Sequence, residues 1–128
     1  MVLLLILLAI LHSTAGEPAH WSPQAVRCTQ PLNQQELLLR EAIKNQFWVG
    51  RVEFVGNETT RDNILRRRIY LQEGDVFTQR NLSRSIANVN KLRIIYPVTR
   101  RDVIVRLDRT NKLIDFAFCF RERHRDRS

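Results

Sequence analysis

The chain of 128 residues carries 21 Lys and Arg against 13 Asp and Glu, a net charge of +8. That length suits one small domain and leaves no room for a membrane β-barrel beside it. The charge favours anionic partners: acidic proteins, nucleic acid, lipopolysaccharide or phospholipid surfaces.

Val2 to Leu11 is an unbroken apolar run, followed by His12, Ser13, Thr14 and the small pair Ala15-Gly16. It reads as a secretory signal peptide, residues 1–15, cut after Ala15 or one residue later. The run falls short of the about 20 residues that span a bilayer; an uncleaved anchor is the alternative. Residues 16–31 hold Pro18, Pro23 and Pro31, three of the four prolines, and read as a linker. In Leu32 to Phe47, Leu38 and Ala42, and Leu39 and Ile43, recur at helical spacing, which predicts an amphipathic helix leading into the domain.

Val49 to Val55 reads as a strand, with Val52 and Phe54 apolar and Arg51 and Glu53 charged. Gly56-Asn57 turns the chain, because both residue types tolerate positive φ. Thr59 or Thr60 is expected to cap the next helix, with Asp62 in its first turn and Ile64, Leu65 and Ile69 as its buried stripe. Arg66, Arg67 and Arg68 then form a basic surface, read first as a solvated helix face. Gly74-Asp75 ends that helix, Phe77 packs in the corner, and Thr78 caps a second helix with Leu82, Ile86, Val89 and Leu92 on one face. Pro97 blocks continuation. Val103, Val105 and Leu107 alternate with Asp102, Ile104 and Arg106. Ile114, Phe116, Phe118 and Phe120 alternate with Asp115, Ala117, Cys119 and Arg121. The polar loop Asp108 to Lys112 joins the two as an antiparallel hairpin. The tail 124–128 is charged and expected to fray, as is Glu122 before it. The order predicts an α+β sandwich, a three-stranded mixed sheet with two helices on one face.

The pieces VEFVGNETTRDNILRR, LQEGDVFTQRNLSRSI and RLDRTNKLIDFAFCFRER, in that order, resemble the POTRA (polypeptide-transport-associated) domain, also described as a surface antigen variable number repeat. In this resemblance, which runs over residues 48–123, Gly56, Asn57, Gly74 and Asp75 are the structural turns. Such modules occur in outer-membrane β-barrel assembly factors and two-partner secretion transporters. The resemblance therefore implies an exported, periplasmic protein, peripheral to the outer membrane. It would bind barrel proteins or their assembly and secretion factors. POTRA-like sheets hold the last strand in the middle. The resemblance thus implies that Val103, Ile104, Val105, Arg106 and Leu107 form an exposed edge, where a partner strand adds through main-chain hydrogen bonds. The alternatives are an edge covered by the Leu32–Phe47 helix or protected by charge. A separate reading makes the chain a binder of an anionic envelope polymer, lipid surface or nucleic acid through Arg66, Arg67 and Arg68.

The residues offer no catalytic constellation, so the chain reads as a non-enzyme with no cofactor, metal or small-molecule substrate. His12 falls in the signal peptide, and His20 and His124 lie near the ends. Neither zinc-ligand spacing, nor a phosphate loop, nor a nucleophile elbow is present. Cys28 and Cys119 are an even pair in an exported chain, which suggests one disulfide worth roughly 4–5 kcal/mol by loop entropy. Two free thiols or an intermolecular link are the alternatives. By alternation Cys119 points away from the helices, so a bridge would draw the N-terminal segment across the open sheet face.

Overall fold

The structure, a computed structural model, describes residues 28–124. The segment read as a signal peptide, most of the segment 16–31 read as a linker, and the end of the tail lie outside those residues.

A helix α1 (Leu32–Lys44) leads into strand β1 (Trp48–Val55); a short helix α2 (Asp62–Arg66) and a longer α3 (Gln79–Val89) precede the hairpin β2 (Val103–Asp108) and β3 (Leu113–Cys119). The sheet order is β1-β3-β2. β3 runs parallel to β1 and antiparallel to β2, so the sheet is mixed, as expected. The hairpin loop closes with Asp108 accepting from the backbone N–H of Asn111 and with Lys112 at φ 53°.

The alternation read from the sequence becomes one apolar layer. Val52, Phe54, Val103, Val105, Ile114, Phe116, Phe118 and Phe120 point to the helices and meet Leu65, Leu82 and Val89. Phe116, Phe118, Leu65 and Leu82 have no exposed surface at all. Burial of each such side chain contributes about 1.5–3 kcal/mol. Phe54 stands edge-on to Phe118, at 6.3 Å between centroids, and Phe77 lies 5.5 Å from Phe116.

Three local expectations are corrected. Thr59 and Thr60 cap no helix: α2 starts after Arg61 without a side-chain cap, and both hydroxyls go to Glu122. The α2 stripe shortens, because the helix ends at Arg66 and not at Gly74-Asp75, which sits in the loop beyond it; Leu65 and Ile69 are buried while Ile64 is exposed. The leading helix also joins the core. Leu39 and Ala42 are fully buried in it, and Ile43 is exposed. Elsewhere the local chemistry is as read: Thr78 accepts from the N–H of Asn81 at 3.1 Å, and Asp62 opens α2.

Both predicted glycine corners need glycine, for different reasons. Gly56 has φ 87° and Gly74 φ 89°, in the left-handed region that disfavours L side chains. At Gly56 a Cβ would also collide with the carbonyl oxygen of Phe120, whereas at Gly74 it would meet open space. Asn57 serves otherwise: its side-chain amide donates to the Thr60 carbonyl and the Asp62 carboxylate.

Candidate functional site

A three-stranded sheet has two edges, and each must satisfy or expose a row of main-chain groups. At β1 the outward groups of the first half meet main chain. Gly74 donates to the carbonyl of Val49, Val49 to that of Asp75, and Phe77 to that of Phe47, at 2.7–2.9 Å. Farther along, the Arg66 guanidinium donates to the carbonyl of Val52 at 3.2 Å and lies 4.9 Å from the centre of the Phe54 ring. Arg66 is therefore tied to the sheet. Arg67 is exposed and Arg68 half-buried, its carbonyl accepting from the side chain of Asn88.

The β2 edge holds the five residues singled out for partner binding. The hairpin register pairs Val103 with Phe118, Ile104 with Ala117, Val105 with Phe116, Arg106 with Asp115 and Leu107 with Ile114. Val103 and Val105 are buried, Leu107 half-buried, and Arg106 exposed. Ile104 points the other way, into a small apolar patch with Ala117 and Cys119 on the face opposite the helices.

Outward main-chain groups of Val103 and Val105 on this edge are met by side chains. The amide of Gln30 makes both bonds to Val105: its Nε2 donates to the Val105 carbonyl and its Oε1 accepts from the Val105 N–H, each at 2.9 Å. A primary amide carries the same donor and acceptor as a peptide group, so one side chain reproduces a rung of a strand ladder. In the first turn of α1, Gln35 donates to the carbonyls of Val103 and Arg100. Gln35 is 98 % buried, since only 2 % of its surface remains exposed. Burying that amide would be costly without these bonds.

Cys28 and Cys119 are bonded, with their Cα atoms 5.9 Å apart. Cys119 lies on the open face and α1 on the helix side, so residues 29–31 pass round the β2 edge. At the other end of the same strand, Arg109 meets Glu41 of α1 at 2.9 Å. An edge expected to be open is thus strapped by the segment read as a linker and by the helix after it. Composition pointed to Pro31 as the end of a linker; the signal it hid is the density of amides in Gln30, Asn33, Gln34 and Gln35.

A second cluster lies where β1 ends and escaped the sequence reading. Arg121 and Arg123 stand 5.4 and 5.1 Å from the ring centre of half-exposed Tyr96. With Gly56, Glu58, Thr59 and His124 they line an open cleft of about 400 Å3. Glu122 between them accepts from the hydroxyl and N–H of Thr59, and these bonds hold its carboxyl below the ordinary value. Glu122 is therefore anchored rather than frayed, and Ile95 bridges to it.

The comparisons agree with this architecture. The profile of the surface antigen variable number repeat, POTRA, matches residues 47–123. Among solved structures, the N-terminal domain of Omp85 from the thermophilic cyanobacterium Thermosynechococcus elongatus is similar in fold. Its TM-score is 0.53 at 17% identity, over 62% of this chain and 36% of that one. The chain thus spans about a third of that structure's length. No curated protein matches the sequence. By the profile match, over most of its length, this chain belongs to the POTRA family.

Proposed function

We propose that this protein is a non-catalytic binding module of the bacterial envelope. It acts in the periplasm beside the outer membrane, on barrel proteins or on their assembly and secretion factors, and takes an extended partner segment at the β2 edge. The observation that carries the reading is the pairing of Gln30 with Val105. One rung of this edge is already met in the manner of a strand, by a group that a peptide main chain can replace bond for bond. Family membership supports the compartment and the class of partner, and the disulfide suits an oxidising one.

The test is photo-cross-linking in cells from position 106, an exposed residue of β2, with position 93 behind α3 as the control. Adducts with outer-membrane barrel proteins or their assembly partners, in higher yield from 106 than from 93, are the expected result. Equal yields, or adducts of the chain with itself alone, would reject the edge as the binding surface.

A second reading places an anionic group of the envelope at Arg121, Arg123 and Tyr96, where two guanidiniums share one cleft. It predicts affinity for anionic vesicles that falls steeply with salt. Replacing Arg121 and Arg123 with Ala would abolish that affinity if the cleft is the site.

A further inference from the structure

We infer that the Cys28–Cys119 disulfide is a latch on the β2 edge: closed, it holds Gln30 over Val105; reduced, it lets an extended partner segment take that place. The inference rests on the strand-addition reading above and adds its regulation.

Cys28 is fixed over the middle strand on the open face, by its bond to Cys119. Leu32 begins α1, which is held on the other side of the sheet by Leu39 and Ala42 in the core and by Gln35 at the edge. The chain from Cys28 to Leu32 extends to about 14 Å at most. Within that length it must clear β2, one strand spacing of about 4.8 Å, and turn down into the helix layer. There is no slack in which residues 29–31 could swing off the edge while the bond is closed. A partner strand would need the same strip of space.

Opening the bond changes this without disturbing the main core. Cys119 belongs to the small patch on the open face, separate from the apolar layer that holds the helices. Once Cys28 is free, residues 28–31 stay joined to α1 along the chain, and among the described residues the Gln30 bonds hold them to Val105. Those bonds are part-buried and carry no charge, so an incoming main chain can replace them one for one.

The chemistry is thiol–disulfide exchange with an exported dithiol reductant. A thiolate of the reductant attacks the sulfur of Cys28, which is exposed where Cys119 is buried. The S–S bond breaks, and the Cys119 sulfur leaves as a thiolate that takes up a proton. The second thiol of the reductant then displaces Cys28 from the mixed disulfide. Two electrons move; the protein gains two thiols and the reductant becomes a disulfide.

The test follows amide hydrogen exchange of Val105 and Phe116 by NMR in the chain with and without dithiothreitol. A fluorescent peptide of alternating Thr and Val serves as the strand probe. Reduction is expected to speed exchange at Val105 roughly tenfold, the loss of one hydrogen bond, while Phe116 in the middle strand stays protected. The peptide is expected to bind the reduced chain and not the oxidised one. Cys28→Ala is expected to bind it with or without dithiothreitol. Gln30→Ala, with the bridge closed, is expected to speed Val105 alone and still exclude the peptide. Unchanged Val105 exchange on reduction, or loss of Phe116 protection, would overturn the latch. Peptide binding to the oxidised chain would overturn the latch and leave the strand-addition reading standing. A faster Val105 without peptide binding would overturn strand addition at this edge.

Discussion

At the β1 edge the outward main chain of Phe47 and Val49 meets the main chain of residues 74–77. At the β2 edge that of Val103 and Val105 meets the amides of Gln35 and Gln30. The first cover comes from inside the span matched by the family profile, residues 47–123; the second comes from residues before it. The module thus protects one edge with its own corner and has the other closed by an added segment. The difference matters physically. The corner at Gly74 is part of the covalent path from α2 to α3 and moves only if the domain opens. The strap is held by side chains and one disulfide, so it can be released while the sheet stays whole.

Several substitutions break or sharpen that contrast. The largest effect is expected when Cys28 and Cys119 are both replaced by Ser. Loss of the cross-link should lower stability in urea by up to about 4–5 kcal/mol, on the loop-entropy view. A loss near zero would mean that the strap adds little to the folded state. At the β1 side, Gly56→Ala should cost about 3 kcal/mol. It adds left-handed strain to a collision with the Phe120 carbonyl. Gly74→Ala meets only the strain and should cost about 1 kcal/mol. Thermal melts of the pair separate steric from backbone cost; equal losses would remove the distinction.

Gln35→Ala should cost about 2 kcal/mol, because the carbonyl of Val103 is left buried without its donor. Gln30→Ala, at a half-buried position, should cost about 1 kcal/mol. Arg66→Ala on the opposite edge removes one bond to Val52 and the stacking on Phe54, also about 1 kcal/mol. Denaturant midpoints that fall more for Arg66 than for Gln35 would invert the order of the two edges.

The smallest effect concerns pH. Thr59 holds the carboxyl of Glu122 below its ordinary value through side-chain and backbone hydrogen bonds. A folded-state value lower than the unfolded one means a contribution that is full above the ordinary carboxylate range. It is lost as pH falls through the folded value. Melting temperatures measured from neutral to acid pH should therefore converge for the native chain and Glu122→Gln at the acid end. A gap that widens on acidification would contradict the assignment.

How much of this was legible beforehand differs by region. The apolar faces of β1, β2, β3 and α3 follow from alternation and helical spacing, because each residue there has one partner layer and the pattern states which. The two glycine corners were legible because only glycine takes those φ values without strain. The destination of Thr59 and Thr60 was not: a Thr before a helix has a local use as a cap, and Glu122, far along the chain, outcompeted it. Gln30 and Gln35 were invisible for a related reason. Glutamine is an ordinary helix and linker residue, and nothing in its neighbours reports that a strand from the hairpin will arrive beside it.

The sequence by itself settled the element order, the faces of the strands and the family, since these depend on local periodicity and short-range turn chemistry. Tertiary structure alone decided that both edges are covered, and by what. At the β2 edge the outcome depends on where the strap from Cys28 to Leu32 lies relative to the strand. Hydrogen bonds across 75 residues of chain, and one disulfide across 91, fix that position, and no local pattern encodes them.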